Sequence, residues 1–179
     1  TMFASIAALE RETILERSER GKNRNVRKGK WPGGPPPLGY RINDDGFLKI
    51  ATKDAEIIRK VYTLYTEEGL STIKVADYLN AHDIPTSAQR NGNKKTKGIW
   101  QASRISRILS HKIYKGEFIF RERTENEIRL DVPQIVSEET WQKAKKLRNK
   151  NKANAPRNSK QLYLLRGLIK CGECGLSYV

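Results

Sequence analysis

The sequence has little of what several common classes of protein need. It holds two cysteines among 179 residues, so a disulfide framework is excluded. No run approaches the roughly 20 apolar residues that span a bilayer, and the first residues lack the basic flank and apolar core of a signal peptide. These absences argue against a disulfide-stapled secreted protein and a membrane protein. We expect a soluble, cytoplasmic protein with no membrane partner.

Residue groupings typical of active sites are also missing. The two histidines, His82 and His111, lie in no recognisable arrangement with a serine or cysteine. No glycine-rich phosphate loop or pair of carboxylates stands out. We interpret His82 as a surface residue and His111 as a helix-end residue, and we predict no catalytic residue in this chain.

What the sequence has in excess is positive charge. It contains 35 Lys and Arg against 20 Asp and Glu, a net charge of +15. Three segments without any acid, 20–41, 84–116 and 143–160, hold seven, eight and eight basic residues, which is 23 of the 35. Each segment alone can be a solvated linker or helix face. Together they indicate a polyanionic partner, and nucleic acid is the leading class.

The first 39 residues predict a helix followed by an extended segment. Apolar residues recur at helical spacing in 2–20, which is typical of a packing seam, and the helix is expected to continue as a polar rod to Gly21. No cap precedes Phe3, so we expect this helix to begin upstream. Residues 22–39 are basic and then rich in Pro and Gly, which predicts an arm that can lie along a minor groove. A plain linker is the alternative.

Residues 40–149 predict one domain of the α+β class, mainly helical with short β-hairpins. Its expected elements are a hairpin at 40–50, helices capped by Thr52, Ser71 and Ser137, a helix over 101–110, and strands at 116–123 and 128–135. The helix capped by Thr52 is expected to end at Gly69, and the one capped by Ser71 near Asp83. A basic linker at 150–161 then leads to a strand at 162–169.

The helices at 71–83 and 101–110 are candidates for a helix-turn-helix motif. In the second of them Ile105, Ile108 and Leu109 share one face. The opposite face carries small hydroxyls and an arginine, which can approach base edges, and a second arginine lies at the flank: Ser103, Ser106, Arg107 and Ser110 opposite, and Arg104 at the flank. The connection at 84–100 is far longer than the usual short turn. An ordinary surface helix of an α+β domain is therefore the alternative.

Cys171 and Cys174 form one C-x-x-C motif followed by glycine. Two thiolates three residues apart can hold half of a tetrahedral zinc site. A redox role would need a βαβ setting that this region does not offer. We predict a structural zinc ion bound by Cys171 and Cys174, with two further ligands from elsewhere, and residues 162–179 as the start of a zinc-ribbon domain.

These motifs, in this order, resemble those of the large serine recombinases over nearly the whole chain. Residues 6–17, Gly29 and 37–40 resemble the end of the family's catalytic domain and its linker. Residues 69–71, 75–80, 84–86, Trp100, 105–109 and 114–116 are similar to its recombinase domain, and 165–175 to the entry into its zinc ribbon.

The resemblance implies an intact protein that cleaves two DNA sites through a serine upstream of the long helix and religates them, integrating or excising mobile DNA as a homodimer or tetramer. No serine of this chain takes that role. The chain itself would bind double-stranded DNA at attachment sites. Its candidate contact residues are Arg17, Arg20, Lys22, Arg24, Arg27, Lys28, Lys30, Arg90, Lys94, Lys95, Ser103, Arg104, Ser106 and Arg107.

Two other functions fit part of the pattern. A DNA-binding repressor would share the charge and the motif, but neither the uncapped first helix nor the half zinc site is expected in one. An RNA-binding module would share the charge, but the 14 aromatic residues fall mostly at core-facing positions rather than on a stacking platform.

Overall fold

A long helix leads into a small helical domain that carries two β-hairpins. The structure is a computed structural model that describes residues 2–90, 97–122, 124, 127–153, 169, 171 and 172, with side chains from residue 9 onward. Within these ranges the predicted α+β class is confirmed. The elements are α1 (Met2–Arg27), β1 (Tyr40–Ile42), β2 (Leu48–Ile50), α2 (Thr52–Thr66), α3 (Thr72–Ala81), α4 (Ser87–Arg90), α5 (Ala102–Ser110), β3 (Glu117–Phe120), β4 (Ile128–Asp131) and α6 (Glu138–Ala153).

Helix α1 is longer than its sequence predicted. The expected end was Gly21, but the helix continues to Arg27. A glycine inside a helix costs only about 1 kcal/mol relative to alanine, and the buried Val26 anchors the last turn, where α1 packs against β4. The prediction of an extended arm from residue 22 is therefore wrong for its first part, because three of its basic residues are helical: Lys22, Arg24 and Arg27.

The rest of the arm is held against the domain. The Trp31 backbone N–H donates to Gly46 O at 2.8 Å, and the Trp31 ring lies 4.8 Å from the Phe118 ring between centroids. Leu38 also packs against the core. Burying large apolar side chains gains about 1.5–3 kcal/mol each. Trp31 and Leu38 therefore hold this segment on the domain, although its prolines and glycines alone predicted a segment free of it.

Three helices, α2, α3 and α5, form the centre of the core. Helix α2 buries Ile58, Val61 and Leu64 completely. The predicted cap of α2 is one residue off, because Ala51 occupies the cap position and Thr52 begins the helix. The other two caps are confirmed: Ser71 Oγ accepts from Lys74 N at 3.3 Å, and Ser137 Oγ accepts from Thr140 N at 3.2 Å.

Helix ends and strands agree with the predictions to within a few residues. Helix α2 ends at Thr66 rather than Gly69, α3 ends at Ala81 rather than near Asp83, and α6 runs to Ala153, which lies within the segment predicted as a linker. The two hairpins are antiparallel, and β3 and β4 are shorter than predicted. The linker and strand predicted beyond 153 lie outside the described residues, apart from 169, 171 and 172.

A tyrosine ties the first hairpin to the far side of the core. The hydroxyl of Tyr40, on β1, lies 2.8 Å from both Ile113 O and Pro133 O. Burial raises the pKa of Tyr40 well above its usual value of 10, so this hydroxyl stays protonated and can donate. Ile113 belongs to a short 3₁₀ turn, Lys112–Lys115, that directly follows α5. The hairpin therefore helps to fix where α5 ends.

Candidate nucleic-acid interface

Helix α5 is held at its start by a side chain of α3. Asn80 Oδ1 accepts from Trp100 N at 2.8 Å, and Asn80 Nδ2 donates to Trp100 O at 3.0 Å. The Trp100 indole Nε1 donates to Ile84 O at 2.7 Å, and the whole residue is buried. The chain between α3 and α5 is long, yet these bonds hold Trp100, near its end, next to α3.

The two faces of α5 are those predicted. Ile105, Ile108 and Leu109 are buried, and Tyr62 on α2 donates its hydroxyl to Ile108 O at 3.1 Å. The other face is open to solvent, with two residues exposed and two partly exposed: Ser103, Arg107, Arg104 and Ser106. The buried face of α5 therefore holds its polar face toward solvent.

A groove of about 510 Å³ runs beside the first half of α5, and we call it the α5 groove. None of the described residues that line it is acidic. Its lining consists of Lys97, Gly98, Ile99, Gln101, Ser103, Arg104 and Arg107. Of these, sequence reasoning singled out Ser103, Arg104 and Arg107 as site residues. It passed over Lys97, Ile99 and Gln101, although Lys97 lies in an acid-free basic segment.

Two further depressions adjoin the α5 groove at its arginines. One of about 240 Å³ lies between the docked arm and α5, where Pro37 and Leu38 face Arg104 and Arg107. Another of about 390 Å³ continues past Arg107 toward the end of α5. Arg107 borders all three depressions, so it lies centrally on the exposed side of the helix.

The cations at the two ends of α5 have different partners. The Arg104 guanidinium lies 5.9 Å from the Trp100 ring centroid, a cation–π contact that orients it. At the other end of the helix Lys112 pairs with Glu122 at 2.7 Å, which neutralises part of the charge there. Desolvation lowers the pKa of His111, so its ring, which accepts from Ile113 N at 3.3 Å, is neutral near pH 7.

The C-terminal half of α1 and the turn after it carry a second set of cations. Arg20 pairs with Glu16 one turn earlier, and Lys30 lies 5.6 Å from the Phe47 ring. An exposed pair of this kind is worth only about 0.3–0.5 kcal/mol, so Arg20 can exchange partners. Among the described residues the other five have no ion pair: Arg17, Lys22, Arg24, Arg27 and Lys28.

The remaining predicted contact residues are not part of this arrangement. Arg90, on α4, forms an ion pair with Asp54 on α2 that compensates its charge. No sequence pattern links these two positions, which only the tertiary fold brings together. Lys94 and Lys95 lie outside the described residues.

The predicted zinc ligands are only partly described. Cys171 is partly exposed, and Cys174 lies outside the described residues. Among the residues that are described, no three His, Cys, Asp or Glu side chains are grouped as a metal site would require. The zinc site stays a prediction based on the spacing of the two thiols.

The described helices differ from those that span a membrane. Within 2–90, 97–122 and 127–153, none has both the length and the apolar character that a bilayer crossing requires.

The fold and the α5 groove together define a small helical domain that presents a basic, solvent-facing helix surface, an arrangement typical of nucleic-acid-binding domains. Residues 52–151 match the family model described as Recombinase, which is more than half of the chain. The chain belongs to the Recombinase family, and the family predicted from its motifs is confirmed.

One relative is similar to nearly the whole chain. The relative, named "Putative DNA recombinase", comes from Bacillus subtilis (strain 168) and is 27% identical over 198 aligned positions, which cover 97% of this chain. The chain spans 39% of that protein's length.

The fold resembles a crystal structure of an LSR–DNA complex, with a TM-score of 0.59 and 22% identity over 91% of this chain and 48% of the other. It also resembles a structure from work on the sequence requirements of the Listeria innocua prophage attP site, with a TM-score of 0.60 and 21% identity over 91% and 64%.

Proposed function

We propose that this chain is the DNA-recognition portion of a serine site-specific recombinase and binds duplex DNA at recombination attachment sites. One observation carries the proposal: a rigidly held helix, α5, presents a groove whose described lining includes three cations and no acid. A helix with one buried apolar face and one exposed polar face fits the major groove of DNA. There Arg pairs bidentately with guanine, and Ser can hydrogen-bond to base edges. In this proposal Ser103, Arg104, Ser106 and Arg107 contact bases.

The cations of α1 and its following turn take a different role. They are long, exposed and spread along a helix, which suits contacts to phosphates that fix register and carry no sequence information. We assign that role to Arg17, Arg20, Lys22, Arg24, Arg27, Lys28 and Lys30. Lys94 and Lys95 belong to this set by their sequence alone. Arg90 would join it only by leaving Asp54.

The helix-turn-helix interpretation is supported by the contacts between α3 and α5. The Asn80–Trp100 bonds hold the two helices together as a unit, and α5 takes the position of the second, reading helix. The long connection between the helices departs from the usual motif. The proposal therefore rests on the helix pair and its charge rather than on the turn.

The intact recombinase would act as a homodimer or tetramer, and α1 carries exposed apolar side chains that could contact a partner. Leu9, Ile14 and Leu15 are all more than half exposed on α1. They point to different sides of the helix, since successive helical residues are about 100° apart, so they do not form one apolar stripe. Cleavage and religation would belong to a serine outside this chain, as the resemblance to the large serine recombinases implies.

The predicted zinc ion would have a structural role. Cys171 and Cys174 provide two thiolates, the donor type that structural zinc sites favour, and such sites take four ligands. Two further ligands would come from outside this chain. Zinc bound there would hold the segment around the cysteines in its folded form.

Duplex selection tests the proposal directly. A randomised duplex pool is passed over the protein, and the enriched duplex is then compared by gel shift with a random duplex and a structured RNA. We expect the selected duplex to bind at least about tenfold more tightly than the random one, since each good base contact is worth about 1–3 kcal/mol. Preference for the RNA would refute the proposal, as would failure to enrich any duplex. A repressor without a recombinase parent would also enrich a duplex.

Two variants separate reading from positioning. Arg107→Ala should reduce the preference for the selected duplex over the random one, because a base contact is lost. Lys28→Ala should weaken binding to both duplexes about equally, because phosphates are the same in each. Identical behaviour of the two variants would show that α5 is not the reading helix.

A further inference from the structure

One apolar side chain interrupts the basic lining of the α5 groove. Ile99 is 57% exposed, although it directly precedes the buried Trp100. It lines the groove with Lys97, Arg104 and Arg107. An exposed isoleucine needs no explanation by itself, but one that lies among the cations of a binding groove does.

The exposure of Ile99 does not come from a loosely held loop. On one side Trp100 is bound through both backbone groups by Asn80 and through its indole by Ile84 O. On the other side Gly98 has φ +67 and lies so close to Gln89 that an added Cβ would overlap the Gln89 side chain.

Gln89 is in turn fixed by the buried Thr86. Its Oε1 accepts from Thr86 N at 2.8 Å and from Thr86 Oγ1 at 3.1 Å. The residues on both sides of Ile99 are thus held in place, and the backbone presents its side chain outward.

The position of Ile99 relative to α5 indicates which part of DNA it would meet. Gln101 is the N-cap of α5, so Ile99 stands two residues ahead of the cap, at the end of a reading helix that enters the major groove. The apolar group exposed on the floor of that groove is the 5-methyl of thymine, which side chains recognise by apolar contact.

We propose that Ile99 is a specificity-determining residue that contacts a thymine methyl group at the N-terminal edge of α5. The proposal rests on the proposed function, because it requires α5 to lie in the major groove of duplex DNA. It adds a kind of readout that the arginines and serines cannot supply, since a cation or hydroxyl gains little from a methyl group.

The test removes the methyl group and the side chain separately. In the duplex selected by the wild-type protein, each thymine is replaced singly by deoxyuridine, which lacks only that methyl, and binding is measured by fluorescence anisotropy. We expect one position at which the replacement weakens wild-type binding about fourfold, the equivalent of about 0.8 kcal/mol for a buried methyl group. Ile99→Ala should weaken binding to the unmodified duplex at least as much and be insensitive to deoxyuridine at that position.

Two variants serve as controls. Ile73→Ala removes an isoleucine on α3 that is 62% exposed but does not line the groove, and it should leave affinity and the deoxyuridine effect unchanged. Ile99→Val keeps the β-branch and should retain part of the deoxyuridine effect. Circular dichroism should show the same thermal transition for Ile99→Ala as for the wild type.

Several results would overturn the inference. One is a selected duplex in which no thymine is sensitive to deoxyuridine, and another is a sensitive thymine that stays sensitive in Ile99→Ala. Loss of DNA bending in Ile99→Ala without a deoxyuridine effect would indicate a minor-groove wedge instead. If the wild-type protein enriches no duplex at all, the proposed function itself has failed. That result is distinct, because it appears before any thymine is replaced.

Discussion

Replacing Asn80 tests whether the start of α5 is held as the structure indicates. Asn80→Ala removes the acceptor of Trp100 N and the donor to Trp100 O, bonds of 2.8 and 3.0 Å. Trp100 is only 2% exposed, so water replaces these partners poorly. A buried polar group left without a partner costs about 1–3 kcal/mol. For the two groups together we expect a loss of about 2–4 kcal/mol in the free energy of unfolding.

The loss is measurable by urea unfolding followed by tryptophan fluorescence. It is a large fraction of the roughly 5–15 kcal/mol typical of a domain, and the slope against urea should stay the same. Asn80→Asp keeps an acceptor for Trp100 N but has no donor for Trp100 O, so about half of the loss is expected.

Asn25→Ala is the matched control for Asn80→Ala. Asn25 is exposed on α1, and the change should cost no more than about 0.5 kcal/mol, as surface substitutions do. If Asn80→Ala is as mild as Asn25→Ala, the hydrogen bonds to Trp100 do not hold α5, and the argument for a rigid reading helix fails.

Four further predictions concern the charge, the docked arm, the chemistry and the metal. Each phosphate contact contributes about −0.9 to the slope of log affinity against log salt, and a slope shallower than about −3 would show that most cations merely face solvent. Gly39→Ala should cost about 2–4 kcal/mol in urea unfolding, because φ is +94 and the new Cβ would lie 2.6 Å from Ile135 Cδ1; a neutral result would contradict the packing at Gly39. The chain alone should form no covalent adduct with DNA, and trapping one would overturn the assignment. The full-length protein should contain about one zinc per chain, and zinc retained when Cys171 and Cys174 are both replaced by serine would refute the zinc site.

The sequence predicted well what local patterns determine. Apolar periodicity placed the buried face of α5, and the hydroxyls of Ser71 and Ser137 marked two helix starts, because a cap bonds to a backbone N–H only three residues away. The turn at residues 43–46 of the predicted hairpin likewise depends on contacts between residues close in sequence. Asn43 Oδ1 accepts from Phe47 N at 2.6 Å, and Gly46 has a positive φ of 88.

The errors arise where distant residues decide the structure. Gly21 is a local signal for a helix end, but burial of Val26 against other elements outweighs its small cost. Prolines and glycines predicted a free arm, but the contact of Trp31 with Phe118 holds it on the domain. The Arg90–Asp54 pair and the Asn80–Trp100 bonds likewise join positions that no periodicity relates.

Ion pairs divide the basic residues of this chain into two groups. Some join elements: Arg121 pairs with Glu19 at 3.1 Å and links the second hairpin to α1, and Lys115 lies within 3.2 Å of both Glu117 and Glu138. The cations of the α5 groove and of the end of α1 mostly have no such partner among the described residues. Within the described residues, Arg104, Arg107 and Lys97 of the α5 groove form no ion pair, so a phosphate approaching them would displace no carboxylate. The salt dependence of binding should accordingly follow the second group and not the net charge of +15.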